Sequence, residues 1–131
     1  MSEKRKPEIG SIAWTDLTIE NAEAVRDFYS DVVGWKPSPV RMGDYSDFNM
    51  NAPGSGNAVA GICHARGSNA DLPAQWMMYI IVADIENSTT RCEELGGKLV
   101  TPIKNMGGQG RYCVIQDPAG AVAALYEMTD R

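Results

Sequence analysis

His64 is the sole histidine of this 131-residue chain, and it directly follows Cys63. An imidazole beside a thiol suggests a metal site or a nucleophile with its base. Neighbouring residues on a strand point to opposite faces, however, so the two are poor joint ligands. One histidine cannot fill a site built on two imidazoles, and a symmetric dimer offers only one per site. His64 is therefore expected at a surface or loop edge. Asp16 sits on a strand face among aromatic positions, where burial would raise its pKa toward acid or base use. A hydrogen bond to backbone or to Thr18 is its more ordinary role. Arg111 follows Met106-Gly107-Gly108-Gln109-Gly110. It reads either as a receptor for an anionic group under a closing loop or as a solvated rim charge beside a hairpin. Cys92 and Cys113 read as packing, with no histidine near Cys113 to act as its base. The glycine-rich run precedes a strand rather than a helix, so it lacks the amide dipole that binds phosphate. No serine triad, phosphate loop or dinucleotide fingerprint occurs.

The elements that position these groups read as one unit written twice. Trp14-Thr15-Asp16-Leu17-Thr18-Ile19 leads into a helical stretch, 20–33, closed by Gly34; residues 76–83 lead into a second, 84–95, closed by Gly96-Gly97. Alternation over 12–19 puts Ile12, Trp14, Asp16 and Thr18 on one face and Ala13, Thr15, Leu17 and Ile19 on the better core face. Ala24, Val25, Phe28, Tyr29 and Val32 form the apolar stripe expected of the first helix. Strands are expected over 35–40, 45–50 and 57–63, then over 98–103, 111–116 and 121–126, with Asp117-Pro118-Ala119-Gly120 as a turn. The fold class is α+β: two βαβββ modules, about 9–66 and 74–128, forming a curved mixed sheet around a cleft.

Bulk properties narrow the partners. A hydrophobic content of 44% supports a core without a cofactor, and a net charge of −5 disfavours nucleic acid and anionic lipid. The basic cluster Lys4-Arg5-Lys6 falls in a solvated tail spanning 1–8. No apolar run has the length to span a bilayer, and no signal-like stretch opens the chain, so a soluble, cytoplasmic protein is expected. Three widely spaced cysteines suit reduced thiols.

The order of elements, with Phe28-Tyr29 before Gly34-Trp35 and Asp117-Pro118-Ala119-Gly120 before the last strand, resembles the vicinal oxygen chelate superfamily. That group includes glyoxalase I, extradiol dioxygenases and the bleomycin and fosfomycin resistance proteins. The resemblance runs from about Ile9 to Glu127. Gly110-Arg111-Tyr112 followed by Asp117-Pro118-Ala119-Gly120-Ala121-Val122 is most similar to its hydroxylase-like branch, whose roles are mostly undefined. The resemblance implies four inward-facing ligand positions for a divalent metal. Carried onto this chain they fall at Trp14, near Gly61, near Met78 and at Ala124. None of these side chains suits a hard or borderline ion, so the metal site is expected to be lost and no cofactor is expected. The same mapping makes Trp14, Asp16, Gly61, Cys63, Trp76, Met78, Ala124 and Tyr126 the cleft lining, to which Arg111 is added as a ligand-binding residue. Trp14 and Met78 either fill the vacated space as core or line a pocket for a small organic ligand. The expectation is a metal-free, small-molecule-binding domain that forms a homodimer. The alternative is a metal-dependent lyase or dioxygenase with displaced ligands drawn from Asp16, Cys63, His64 and Glu127.

Overall fold

The structure is a computed structural model that describes residues 8–129, the side chain of Ser68 excepted. All but the last residue of the expected tail, including Lys4-Arg5-Lys6, lies outside the described residues. The chain divides into two compact units, Trp14–Trp76 on one hand and Met77 onward together with the residues up to Ala13 on the other.

The first unit contains most of β1 (Ile12–Ile19), then α1 (Ala22–Val33), β2 (Lys36–Arg41), β3 (Ser46–Asn51) and β4 (Ala58–His64). Its strands lie in the order β2-β3-β4-β1, with β4 parallel to β1 and antiparallel to β3. The second unit contains β5 (Trp76–Ile81) from Met77 on, α2 (Ile85–Glu94), β6 (Lys98–Leu99), β7 (Lys104–Asn105), β8 (Gly110–Gln116) and β9 (Val122–Met128). There the order is β6-β8-β9-β5, with β7 also on β8 and β9 parallel to β5. In both units the last strand runs parallel to the first and antiparallel to its predecessor. The repeat seen in the sequence is thus a repeat of topology, and the fold is α+β with mixed pairing.

Local chemistry sets the ends of both helices. Gly34 takes the left-handed conformation (φ +88) that a side chain resists, and its amide returns to the Ser30 carbonyl. The Asp84 carboxylate accepts from the Asn87 amide 3.1 Å away and so caps α2. The α1 stripe is only partly turned inward. Ala22 is buried and Tyr29 half-buried, whereas Phe28 and Val32 are 56% and 64% exposed. Arg26 accounts for part of this rotation, because its guanidinium lies 4.6 Å from the Phe48 ring centre and takes sheet surface that an apolar residue would fill. The strand expected over 98–103 is interrupted. The Val100 and Thr101 amides both donate to the Val114 carbonyl, Thr101 Oγ1 accepts from the Val114 amide, and Pro102 has no N–H to continue the ladder.

Each unit has its own core between helix and sheet. In the first, Ala22, Phe48, Met50, Ala60 and Ile62 pack with Ile19, Tyr29, Trp35 and Trp76. In the second, Ile85, Cys113 and Leu125 pack with Ile80, Val82, Ile103 and Ile115. A fully buried aliphatic such as Ile62 or Ile85 contributes about 1.5–3 kcal/mol.

Candidate functional site

Strand register decides which predicted residues share a face. In the first unit Ser38 pairs with Asn49, Asn49 with Gly61, and Gly61 with Asp16. Cross-strand partners point the same way, so these four form a row on the face opposite the α1 core. Trp14 lies two residues before Asp16 and joins them. Cys63 lies two residues after Gly61 and pairs with Thr18.

Gly61 is the notch in this row. A Cβ built there would lie 3.2 Å from Asp16 Cβ and 3.5 Å from both Nε1 and Cζ2 of Trp14. The indole therefore occupies the space that a longer side chain at 61 would need. Asp16 is 9% exposed, so its carboxylate sits below the surface. Cys63 lies near Asp16 and Asp47 and hydrogen-bonds to Asp47; burial first, then both carboxylates, push its thiol well above the ordinary thiol range. It is a neutral donor there and no nucleophile.

His64 differs from its expected surface position. It ends β4 with its side chain only 12% exposed. Its amide donates to Asp47 Oδ1 at 2.8 Å, Nδ1 lies 3.2 Å from the same oxygen, and Nε2 lies 3.5 Å from Glu23 Oε1. The imidazole ties β4 to β3 and α1.

In the second unit Tyr79 pairs with Ala124, Ile81 with Tyr126, and Tyr112 with Tyr126. These residues share the face opposite the α2 core. Met77, two residues before Tyr79, joins them and is 3% exposed. Met78 falls on the other face of β5 and is 44% exposed, so it does not pack as core and does not accompany Ala124. Trp76 alternates the same way: its indole N–H donates to Tyr29 Oη at 3.0 Å within the α1 aromatic cluster, away from the face of Asp16. The count from the second helix slipped because β5 stops at Ile81, leaving Val82 and Ala83 outside the strand. Tyr79 was missed because Trp76-Met77-Met78-Tyr79-Ile80-Ile81 is apolar throughout and carries no alternation to read. Tyr126 keeps its expected face, and its hydroxyl donates to the Gln109 carbonyl at 2.8 Å.

Arg111 is paired with carboxylates of its own chain. It shares its face with Cys113, on the α2 side, where it meets Glu86 through Nη1 and Nη2 at 2.5 and 2.9 Å and Glu127 through Nε and Nη2 at 3.0 and 2.7 Å. The guanidinium holds the Glu86 carboxyl below the ordinary carboxylate range. The second oxygen of Glu127 accepts from the Ile85 amide at the start of α2.

A divalent metal does not fit the positions that the resemblance implies. Trp14 offers an N–H donor, Gly61 and Ala124 offer nothing, and Met77 or Met78 offers a soft thioether. The displaced set fares no better, since Asp47 and Glu23 face His64, the Cys63 thiol is held protonated, and Arg111 binds Glu127. Among the described residues one group of three has donor atoms within 4.8 Å of one another, Asp84, Glu86 and Glu127. Arg111 is already paired with two of its members.

Comparison with known proteins agrees with this architecture. The sequence model of the Glyoxalase/Bleomycin resistance protein/Dioxygenase superfamily matches residues 11–125. CFP32 of Mycobacterium tuberculosis, whose name assigns it provisionally to the glyoxylases, is 32% identical over 90% of this chain and 46% of its own length. The anthracycline biosynthesis protein DnrV of Streptomyces peucetius is 30% identical over 89% of this chain and 46% of its own length. The chain thus spans about half the length of the curated relatives it matches. Among solved structures, a superfamily member from Vibrio splendidus aligns with a TM-score of 0.59 at 16% identity, covering 89% of this chain and 99% of that one. Methylmalonyl-CoA epimerase from M. tuberculosis aligns with a TM-score of 0.56 at 17% identity, covering 92% of this chain and 89% of that one. At these identities the structures share the fold.

Proposed function

Because the chain belongs to the Glyoxalase/Bleomycin resistance protein/Dioxygenase superfamily, we propose that it binds a small organic molecule on the strand face carrying Trp14, Asp16 and Gly61, without a resident metal. The observation that carries this reading is the meeting of three residues at Gly61, where a Cβ would lie 3.2 Å from Asp16 Cβ and 3.5 Å from the Trp14 indole, beside a buried Asp16. The indole supplies flat contact area; the carboxylate accepts a hydrogen bond from a ligand hydroxyl or amine and fixes its orientation. Asn49 and Ser38 extend the polar row. In the second unit Tyr79, Tyr112 and Tyr126 share a face with Ala124.

Two ligand classes come first in a screen. The relative named for anthracycline biosynthesis points to polycyclic phenols, and the structural neighbour named for methylmalonyl-CoA points to acyl thioesters. The Asp16 row favours the hydroxyl-bearing class, because it offers acceptors and has no arginine for a phosphate. Isothermal titration in the presence of chelator is the test. A phenolic ligand should bind, and Asp16→Asn should weaken it about tenfold while leaving the unliganded melting temperature within a few degrees. Binding that needs an added divalent ion, or that is indifferent to Asp16→Asn and Trp14→Ala, overturns the reading.

The same reading makes the protein a cytoplasmic homodimer. Its support is β2, an edge strand of the first unit's sheet with five of six residues exposed. Among the described residues, no helix is long and apolar enough to cross a membrane. Sedimentation equilibrium giving a monomer at micromolar concentration would remove the dimer.

A further inference from the structure

The β2–β3 hairpin holds a second recess, of about 360 Å³, lined by Pro39, Arg41, Gly43, Asp44, Tyr45 and Ser46. Strand register separates it from the row of Asp16. Pro39 pairs with Phe48 and Arg41 with Ser46, so these residues share the α1 side of the sheet, while Ser38 and Asn49 occupy the other. The recess therefore stands independently of the reading above.

A turn hydrogen bond and two ring contacts shape its walls. The Met42 amide donates to the Tyr45 carbonyl at 2.8 Å and closes the turn, and Gly43 takes φ +96, where a side chain would be strained. The Arg66 guanidinium lies 3.8 Å from the centre of the Tyr45 ring, and His64 meets that ring edge-on at 5.4 Å. Pro39 has its φ locked by its own ring.

Arg41 and Asp44 are both exposed, stand only three positions apart, and form no ion pair with one another or with any described residue. An exposed cation and an exposed anion that line one open recess without pairing suit a ligand that carries both signs. Ser46 adds a hydroxyl, and Pro39 with Tyr45 adds apolar surface for a side chain. We propose that this recess binds a free amino acid with an apolar or aromatic side chain, its carboxylate on Arg41 and its ammonium on Asp44.

The test uses the full chain labelled with nitrogen-15 and three probes: L-phenylalanine, N-acetyl-L-phenylalanine, which lacks the cation, and L-phenylalaninamide, which lacks the anion. Phenylalanine should shift the amides of Gly43, Asp44, Tyr45 and Ser46 and bind at least about tenfold tighter than either blocked form. Arg41→Gln should weaken phenylalanine and the acetyl form but not the amide, and Asp44→Asn should weaken phenylalanine and the amide but not the acetyl form. Both substitutions lie at exposed positions, and an unchanged spectrum outside the hairpin establishes that each variant is folded. Equal binding of all three probes, shifts confined to other residues, or no shifts at millimolar phenylalanine would each overturn the proposal.

Discussion

Cys63 gives the sharpest test of the first unit's open face. Burial and the carboxylates of Asp16 and Asp47 keep its thiol protonated far above the ordinary value of 9.0, whereas the unfolded chain titrates near that value. A raised folded pKa favours the protonated form, so this contribution is fully present below pH 9 and is lost as pH rises above it. At pH 10 the unfolded thiol is ionised about ten to one while the folded one is neutral, a difference of about 1.4 kcal/mol against the fold. Cys63→Ser keeps a donor for Asp47 and does not titrate in this range. Urea unfolding of both proteins at pH 8 and pH 10 should therefore show the wild type losing about 1.4 kcal/mol more than the variant over that interval. Native Cys63 should also resist iodoacetamide at pH 8 and react once the chain is unfolded. Equal losses in the two proteins, or labelling of native Cys63 at the unfolded rate, would mean that the thiol does not lie among those carboxylates.

Other consequences can be checked separately. Cys113 is fully buried, with its thiol pushed up to about 11 by burial and then by Cys92, so half-buried Cys92 should be the one cysteine that a disulfide reagent reaches in the native chain. Asp47→Ala strips an acceptor from the His64 amide and from the Cys63 thiol and should cost about 2 kcal/mol in chemical denaturation; a loss below measurement error would contradict the network. Gly110→Ala should cost about 1–3 kcal/mol, because at φ +140 its Cβ would collide with the Glu127 carbonyl oxygen and come within 2.9 Å of Tyr126 Cε1. Arg111→Gln should return the Glu86 carboxyl from its lowered midpoint toward the ordinary range, read by carbon-13 titration; an unmoved midpoint would show that the ion pair does not form in solution.

The repeated order of strand and helix was legible because each unit carries its own helix-boundary signal, Gly34 at the end of the first helix and Asp84 at the start of the second. The face of β1 was legible too, since Trp14, Asp16 and Thr18 alternate with Leu17 and Ile19. On β5 the same argument had nothing to grip: six consecutive apolar residues fit either phase, and only the pairing of Tyr79 with Ala124 settles it. The exposure of Phe28 escaped the helical period because Arg26, charged and long, lies over Phe48 and replaces an apolar contact. Arg111 needed partners 25 and 16 residues away, Glu86 and Glu127, which no local pattern announces. His64 likewise looked superficial until Asp47 and Glu23 were found at its ring nitrogens.

The central claim is that a superfamily domain binds its ligand without a metal, and the metal content of the purified protein tests it most directly. Protein prepared with manganese, iron, nickel and zinc supplied in turn, then dialysed, should carry far less than one equivalent of any of them by mass spectrometry. Near-stoichiometric metal that survives dialysis and is lost in Asp16→Ala or His64→Ala would contradict the account and restore a metal-dependent reaction.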